Sequence, residues 1–167
     1  MTAKQALRTR SFYLMLLVQR AIALVISGLH FHWFAYMASK GLSSNVAVAS
    51  ISISSLATIP SSLLAGYMAD LFPLRFILLA THLGFSFTVC LLIFTSTSTM
   101  AYLYDIFLGV FSGMAFTTNL VVWADYYGRA HLGAIRGMNS PVNQITNASG
   151  PLVAAVRWTF SGTKASY

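Results

Sequence analysis

The chain alternates long apolar stretches with short polar segments, and this alternation restricts its fold more than any other feature. The apolar stretches span about 11–38, 46–69, 74–95, 100–123 and 138–156. An α-helix rises about 1.5 Å per residue, so about 20 apolar residues cross the roughly 30 Å hydrocarbon core of a bilayer. We therefore predict an all-α membrane protein, a single transmembrane domain over residues 1–167 with five transmembrane helices.

The composition supports a location within the lipid bilayer. Of the 167 residues, 57% are hydrophobic and only 8% are charged, which leaves too little polar surface for a soluble globule. In a soluble protein the net charge of +7 would suggest nucleic-acid binding. Here the basic residues lie mostly between the apolar stretches and form no patch. We therefore interpret them as topology signals, and we expect a multi-pass integral membrane protein that binds no nucleic acid.

The distribution of lysine and arginine among the polar segments predicts the orientation of the chain. The cytosolic segments of membrane proteins carry an excess of these residues. With the amino terminus inside, the cytosolic residues are Lys4, Arg8, Arg10, Arg75, Arg129 and Arg136. The outer residues are then Lys40, Arg157 and Lys164. The excess lies inside in this orientation, and five spans place the carboxyl terminus outside.

A short charged turn separates the second apolar stretch from the third. Its spacing, Gly-x-x-Ala-Asp-x-x-x-x-Arg, resembles the signature loop of the major facilitator superfamily, which joins the second and third helices of each six-helix half. The matching residues are Gly66, Ala69, Asp70 and Arg75. The residues that depart from the family's pattern are Leu71, Pro73 and Leu74.

The resemblance implies a conformational switch at this turn. In the family the glycine lets two helices approach closely, the aspartate lies by the amino end of a neighbouring helix, and basic residues hold the loop at the cytosolic surface. The switch here would consist of Gly66, Asp70 and Arg75. By the same resemblance Asp70 meets the start of the fifth span, where Arg136 and the free backbone amides after Arg136 and Gly137 are its partners.

Two further segments resemble one subgroup of the family. Residues 6–13 and 128–137 are similar to the carboxyl-terminal half of bacterial monocarboxylate-transporter-like members, and the resemblance covers nearly all of residues 6–156. It implies transport of a small solute, such as a monocarboxylate, by alternating access across a bacterial-type plasma membrane. A coupling proton or ion is part of that expectation.

The number of predicted spans is one short of a family half. Each half holds six helices, built as inverted three-helix repeats. We therefore expect a fragment or truncated gene product that needs an amino-terminal six-helix half to form a complete transporter. The alternative is a membrane fragment that does not transport, or that serves only as an assembly partner.

Two ionisable residues fall inside predicted spans, Arg20 in the first and Asp105 in the fourth. Such charges are costly against lipid and normally face a cavity or a partner. Asp105 shares one helix side with Gly109, Ser112 and Asn119. Since the first and fourth helices of a family half line the central cavity, one interpretation places Arg20, Asp105 and Asn119 there, with Arg20 holding an anion or pairing with Asp105. In the other interpretation Arg20 extends to the membrane interface and Asp105 lies at that interface.

Polar residues also recur at helical spacing within two spans. The fifth span carries Asn139, Asn143 and Asn147 at positions i, i+4 and i+8. Amides are costly to bury without partners, so this stripe indicates either a water-filled cavity, with Asn143 and Asn147 as substrate contacts, or helix packing. The second span carries Ser54, Thr58 and Ser61. For these smaller side chains packing is the favoured interpretation.

The histidines do not indicate a metal site. His30 and His32 are two residues apart, so they project from different helix faces. His32 matches a histidine of the resembling subgroup and is a candidate substrate contact, with a packed histidine as the alternative. The sequence contains no glutamate, no His-Glu-x-x-His and no phosphate-binding loop. We therefore predict no metal, no cofactor and no enzymatic activity.

Overall fold

The structure, a computed structural model, describes residue 5 and residues 7–128 and 132–162; at the carboxyl end the described side chains are those up to 153 and that of 155. The helices are α1 (Arg10–Phe31), α2 (Trp33–Ser39), α3 (Ser44–Leu71), α4 (Leu74–Ile93), α5 (Ser98–Tyr127) and α6 (Leu132–Gly162). The described residues form no strand, so the prediction of an all-α fold is confirmed.

Four of the helices, α1, α3, α4 and α5, are long and apolar enough to cross a membrane. The helix over the fifth predicted span, α6, is not among them. Its asparagines and its glutamine dilute the apolar residues, although the helix itself is longer than the predicted span. The fifth span therefore stays a prediction.

The structure divides the first predicted span, residues 11–38, into two helices. His32 alone separates α1 from α2, with φ −95° and ψ 8°. The Ser27-Gly28 pair, one turn earlier, is of the kind that weakens a helix. The His32 ring nitrogen Nε2 also lies 3.3 Å from the carbonyl oxygen of Pro151 on α6. These features correct the expectation of one uninterrupted helix.

The start of α6 also differs from the sequence prediction. Gly128 adopts φ +79° beyond α5, a left-handed conformation that glycine tolerates and that ends a helix. Since α6 already begins at Leu132, Arg136 lies in its second turn and the amides after Arg136 and Gly137 are inside the helix. The prediction that those amides are free was wrong; the unpaired amides of α6 are those of its first turn.

Some residues used in the sequence analysis lie outside the described residues. Among the basic residues of the orientation argument these are Lys4, Arg129 and Lys164, and the side chain of Arg157. Part of the segment 128–137, which resembles the monocarboxylate-transporter-like subgroup, is likewise not described. The orientation therefore stays a prediction.

The chain forms two compact units. Unit 1 comprises Met1–Trp33 and Tyr127–Tyr167, and unit 2 comprises Phe34–Tyr126. In unit 1, α1 packs along α6. Arg20 contacts Asn143, and the same number of residues further along each helix Ser27 lies against Gly150. The two helices therefore run in the same direction.

In unit 2, α3 and α5 approach each other at backbone distance. A Cβ atom at Gly109 would overlap the carbonyl oxygen of Ser54, and one at Gly113 would overlap that of Thr58. Two hydrogen bonds join the helices: Thr58 Oγ1 donates to the Gly109 carbonyl oxygen at 3.2 Å, and Thr117 Oγ1 donates to that of Ser62 at 2.9 Å. Two glycines four residues apart are typical of close packing between membrane helices.

Phenylalanine side chains join α4 to α5. The rings of Phe87 and Phe107 lie 5.6 Å apart, edge to face, and those of Phe85 and Phe111 lie 6.4 Å apart. Residue numbers fall along α4 as they rise along α5, so these two helices are antiparallel. Unit 2 therefore combines a close parallel pair, α3 and α5, with an antiparallel aromatic contact.

We predict that Gly109→Ala destabilises the chain, because the added methyl group must push α3 away from α5. The expected loss is about 1–3 kcal/mol, as in other overpacked cores. Unfolding of the purified chain by SDS in mixed micelles measures it. Gly133→Ala is the matched control, since a Cβ atom there meets nothing within 4 Å. Equal stability of the two variants would show that the α3–α5 contact adjusts freely.

Candidate functional site

Arg20 is buried between the two helices of unit 1. Its side chain is only 9% exposed, and its Nη1 donates a hydrogen bond to Oδ1 of Asn143. The side-by-side, parallel arrangement of α1 and α6 brings these residues together across the sequence. The guanidinium is therefore directed at α6, and its depth in the membrane stays a prediction.

The hydrogen bonds of the Arg20 guanidinium are incomplete. Its Nε is buried and has no hydrogen-bond partner among the described residues. Asn143 accepts from Arg20 through Oδ1, which leaves its NH₂ group as a donor. One turn earlier on α6, Asn139 is 7% exposed, and its Oδ1 is buried without a donor. The contact between α1 and α6 thus contains a buried guanidinium whose Nε–H donates to no described residue. It also contains a nearby amide oxygen, that of Asn139, to which no described residue donates a hydrogen bond.

The three asparagines of α6 do not share one environment. Asn139 is buried, Asn143 is half-buried and Asn147 is exposed. Each step of four residues turns a helix by about 40° beyond a full turn, so the stripe drifts off the face that contacts α1. Asn143 therefore belongs to the Arg20 site, whereas Asn147 is exposed and has no described contact with α1.

His32 binds the backbone of α6. Its Nε2 lies 3.3 Å from the carbonyl oxygen of Pro151, and because a carbonyl only accepts, Nε2 is the protonated nitrogen in this contact. The ring is half-buried and also packs edge to face on Phe31 at 5.3 Å. The role of His32 as a substrate contact stays a prediction, since this arrangement gives the ring a packing role.

Asp105 is buried in unit 2. Its side chain is 2% exposed and is hydrogen-bonded to the hydroxyl group of Ser50 on α3, which is fully buried. Asn119, further along α5, is half-buried. Arg20 and Asp105 belong to different units, so their predicted pairing is not tested by the contacts within each unit.

The signature turn is very short in the structure. Only two residues, Phe72 and Pro73, separate α3 from α4. Asp70 is exposed in the last turn of α3, and Arg75 is exposed in the first turn of α4, where its guanidinium stacks over the ring of Phe76 at 5.0 Å. An acidic residue at a helix carboxyl end and a basic residue at an amino end are both unfavourable against the helix dipole. Local helix stability therefore does not explain either charge.

Gly66 is not the residue that allows close packing within unit 2. A Cβ atom at Gly66 would lie 3.9 Å from the nearest atom, in Thr117, which is an ordinary contact distance. The close approach is made at Gly109 and Gly113 instead. The spacing of two glycines four apart within an apolar stretch could have predicted this from sequence. No comparable pattern in the sequence points to Ser50, because its contact with Asp105 joins two different helices.

Comparisons with known proteins give one result. The family model described as Major Facilitator Superfamily matches residues 3–166. No curated protein and no solved structure matches the chain.

We predict an energetic coupling between Arg20 and Asn143. In a double-mutant cycle with Arg20→Leu and Asn143→Leu, the coupling free energy should be about 1.5–3 kcal/mol, as for hydrogen bonds to charged groups. Unfolding by SDS measures each variant. Asn147→Leu serves as the control on the same helix, and its effect should add independently to that of Arg20→Leu. A coupling near zero between Arg20 and Asn143 would mean that their contact contributes nothing to stability.

Proposed function

The chain belongs to the major facilitator superfamily, whose members are membrane transporters of small solutes, and we propose that it carries a small organic anion, a monocarboxylate, by alternating access. The observation that carries this proposal is the buried Arg20, whose Nε has no partner among the described residues. As a half of a complete transporter, the chain would act together with an amino-terminal six-helix half.

The charge distribution of unit 1 favours an anionic ligand. The three acidic residues of the sequence are Asp70, Asp105 and Asp125, and all three lie in unit 2. Unit 1 therefore contains no acidic side chain that could neutralise Arg20. A cation is costly to bury in a membrane protein without a counter-charge. A bound anion supplies that charge only while the substrate is present.

The chemistry of the guanidinium favours a carboxylate. Arginine presents its N–H groups in a planar fork that matches the two oxygens of a carboxylate. Asn143 occupies Nη1, which leaves the side of the fork that carries Nε for a ligand. The NH₂ group of Asn143 lies on the same contact and can donate to a second ligand oxygen.

The direction of α6 supports the fifth span. Because α6 runs alongside α1 in the same direction, its residues 143–151 lie beside residues 20–32 of a helix that is apolar and long enough to cross the membrane. A segment in that position would lie at the same depth in the membrane as the part of α1 beside it. The polar residues of α6 are then tolerated because several of them face α1, and the exposed ones would face the aqueous path or the other half.

Uptake of a radiolabelled monocarboxylate into vesicles tests the proposal, with the amino-terminal half co-expressed. Arg20→Leu should lower uptake at least about tenfold, since a hydrogen bond to a charged group contributes about 1.5–3 kcal/mol and each 1.4 kcal/mol is a factor of ten. Ile145→Ala, at an apolar residue of α6 that is 70% exposed, is the control and should retain uptake. Equal amounts of inserted protein must be shown for both. Unchanged uptake in Arg20→Leu would refute the anion site.

We also propose that Asp70 stabilises one state of the transport cycle. Its carboxylate is unfavourable at the end of its own helix, but it would be favourable beside the amino end of another helix in the complete transporter. Such a contact contributes up to about 2 kcal/mol when it is partly buried.

We predict that Asp70→Asn changes the ratio of inward- to outward-facing states by about fivefold or more, since about 1 kcal/mol corresponds to that factor. Distances between spin labels on the outer ends of the two halves measure the ratio. Asp125→Asn is the matched control, because Asp125 is also an exposed aspartate in the last turn of a helix. Identical distance distributions in the two variants would show that Asp70 has no switching role.

A further inference from the structure

A buried hydrogen-bond acceptor lies one helical turn from the contact between Arg20 and Asn143, and the anion site described above makes no use of it. Asn139 on α6 is 7% exposed, and its Oδ1 is buried with no hydrogen-bond partner among the described residues. An amide oxygen in an apolar interior is costly to leave without a donor. A group other than the described residues is therefore needed to donate to this oxygen.

The face of α6 that carries Asn139 is the face that contacts α1. Asn143 accepts the hydrogen bond of Arg20, and Gly150 lies against Ser27. At about 100° per residue, Asn139 lies about 40° from Asn143 and about 20° from Gly150 around the helix axis. Asn139 is therefore directed at the same contact as Asn143, one turn nearer the start of α6.

An oxygen without a donor does not by itself make Asn139 a ligand contact, because the described residues contain other such atoms. Gln19 has a buried Oε1 without a partner, and His82 has a buried Nε2 without one. Both of these side chains are only half-buried, and His82 belongs to unit 2. Asn139 differs because its side chain is nearly fully buried and lies one turn from the place where Nε–H of Arg20 has no described acceptor.

The charge at this place indicates which kind of group donates to Asn139. The guanidinium of Arg20 repels a cation, which argues against an ammonium group or a metal ion. Unit 1 contains no acidic side chain that could offset a second positive charge. A hydroxyl group is neutral and donates one hydrogen bond. A carboxylate that also carries a hydroxyl group therefore complements both the Arg20 guanidinium and the Asn139 oxygen.

The spacing of the two asparagines indicates where the substrate carries this hydroxyl group. One helical turn separates Asn139 from Asn143 by about 5.4 Å along the axis. A hydroxyl group on the carbon next to the carboxylate stays about one hydrogen-bond length, about 2.7 Å, from a carboxylate oxygen. A hydroxyl group one carbon further along the chain extends toward the next turn. The geometry therefore favours a 3-hydroxy acid over a 2-hydroxy acid.

We propose that Asn139 is a specificity-determining residue of the anion site and that it selects 3-hydroxy carboxylates. The carboxylate binds the Nε side of the Arg20 guanidinium and the NH₂ group of Asn143, while the hydroxyl group donates to Oδ1 of Asn139. This assignment rests on the anion site proposed above. A substrate without the hydroxyl group leaves the Asn139 oxygen buried and unpaired, and binding sites reject analogues in this way.

Uptake of radiolabelled 3-hydroxybutanoate tests the proposal, in vesicles with the amino-terminal half co-expressed and with vesicles that lack the chain as the background. The unlabelled inhibitors are butanoate, 2-hydroxybutanoate and 3-hydroxybutanoate, which share their carbon chain and charge. The inhibition constant of 3-hydroxybutanoate should be lower than that of butanoate by about fivefold or more, because butanoate leaves a buried acceptor unpaired. Equal constants for these two acids, or tighter inhibition by 2-hydroxybutanoate than by 3-hydroxybutanoate, would overturn the proposal.

Asn139→Leu tests the residue itself, because leucine is similar in size and has no acceptor. The ratio of the two inhibition constants should fall to about one, while butanoate still binds through Arg20. Thr146→Val is the matched control on α6 and should keep the ratio of the unmodified chain, since the Thr146 hydroxyl already donates to the Val142 carbonyl oxygen at 2.8 Å. An unchanged ratio in Asn139→Leu would contradict the role of Asn139.

The same measurements separate this inference from the proposed function. A ratio within one variant does not depend on the amount of inserted protein, and the comparison of the three acids on the unmodified chain needs no variant at all. Inhibition by all three acids without a preference for the hydroxyl group would overturn the role of Asn139 and leave the anion site standing. Absence of carboxylate uptake and of inhibition by any of the acids would overturn both.

Discussion

A bilayer offers no hydrogen-bond partners, so each polar side chain in a spanning helix must find a partner within the protein, and this requirement orders the whole structure. Most hydroxyl groups meet it within their own helix, by donating to a carbonyl oxygen three or four residues earlier. Ser61, Thr81, Thr88 and Thr118 donate in this way to Ala57, Ile77, Gly84 and Met114. Serine and threonine can therefore be frequent in α3 and α4 without requiring water, and their small size leaves the helices free to pack closely.

The two buried charged residues, Arg20 and Asp105, are instead found where helices meet. The guanidinium of Arg20 reaches Asn143 on a different helix, and the carboxyl group of Asp105 is met by Ser50 on a different helix. Both groups keep one buried atom without a partner. Such atoms are few in native structures and each needs an explanation. Among the described residues they also occur at Gln19, His82 and Asn139, so an incomplete set of hydrogen bonds does not by itself mark a functional site.

The sequence predicted the all-α fold because long apolar stretches leave little choice of structure in a membrane. It predicted less well wherever contacts between distant segments decide the outcome. The partner of Arg20 lies 123 residues away and depends on α1 and α6 running side by side in the same direction. The polar, glycine-containing segment 132–137 resembled a loop, but α6 already includes it. His32 interrupts α1 where it contacts α6, and no local pattern of residues shows that contact.

The close contact of α3 with α5 also has a mechanical consequence. Gly109 and Gly113 bring the two helices together at their backbones, and hydroxyl groups of Thr58 and Thr117 bind carbonyl oxygens across the gap. At Gly109 and Gly113 the backbones are so close that neither position has room for a Cβ atom. Separating the two helices would break both hydrogen bonds and expose the backbone at the two glycines, so we expect a conformational change to deform other contacts of the chain first.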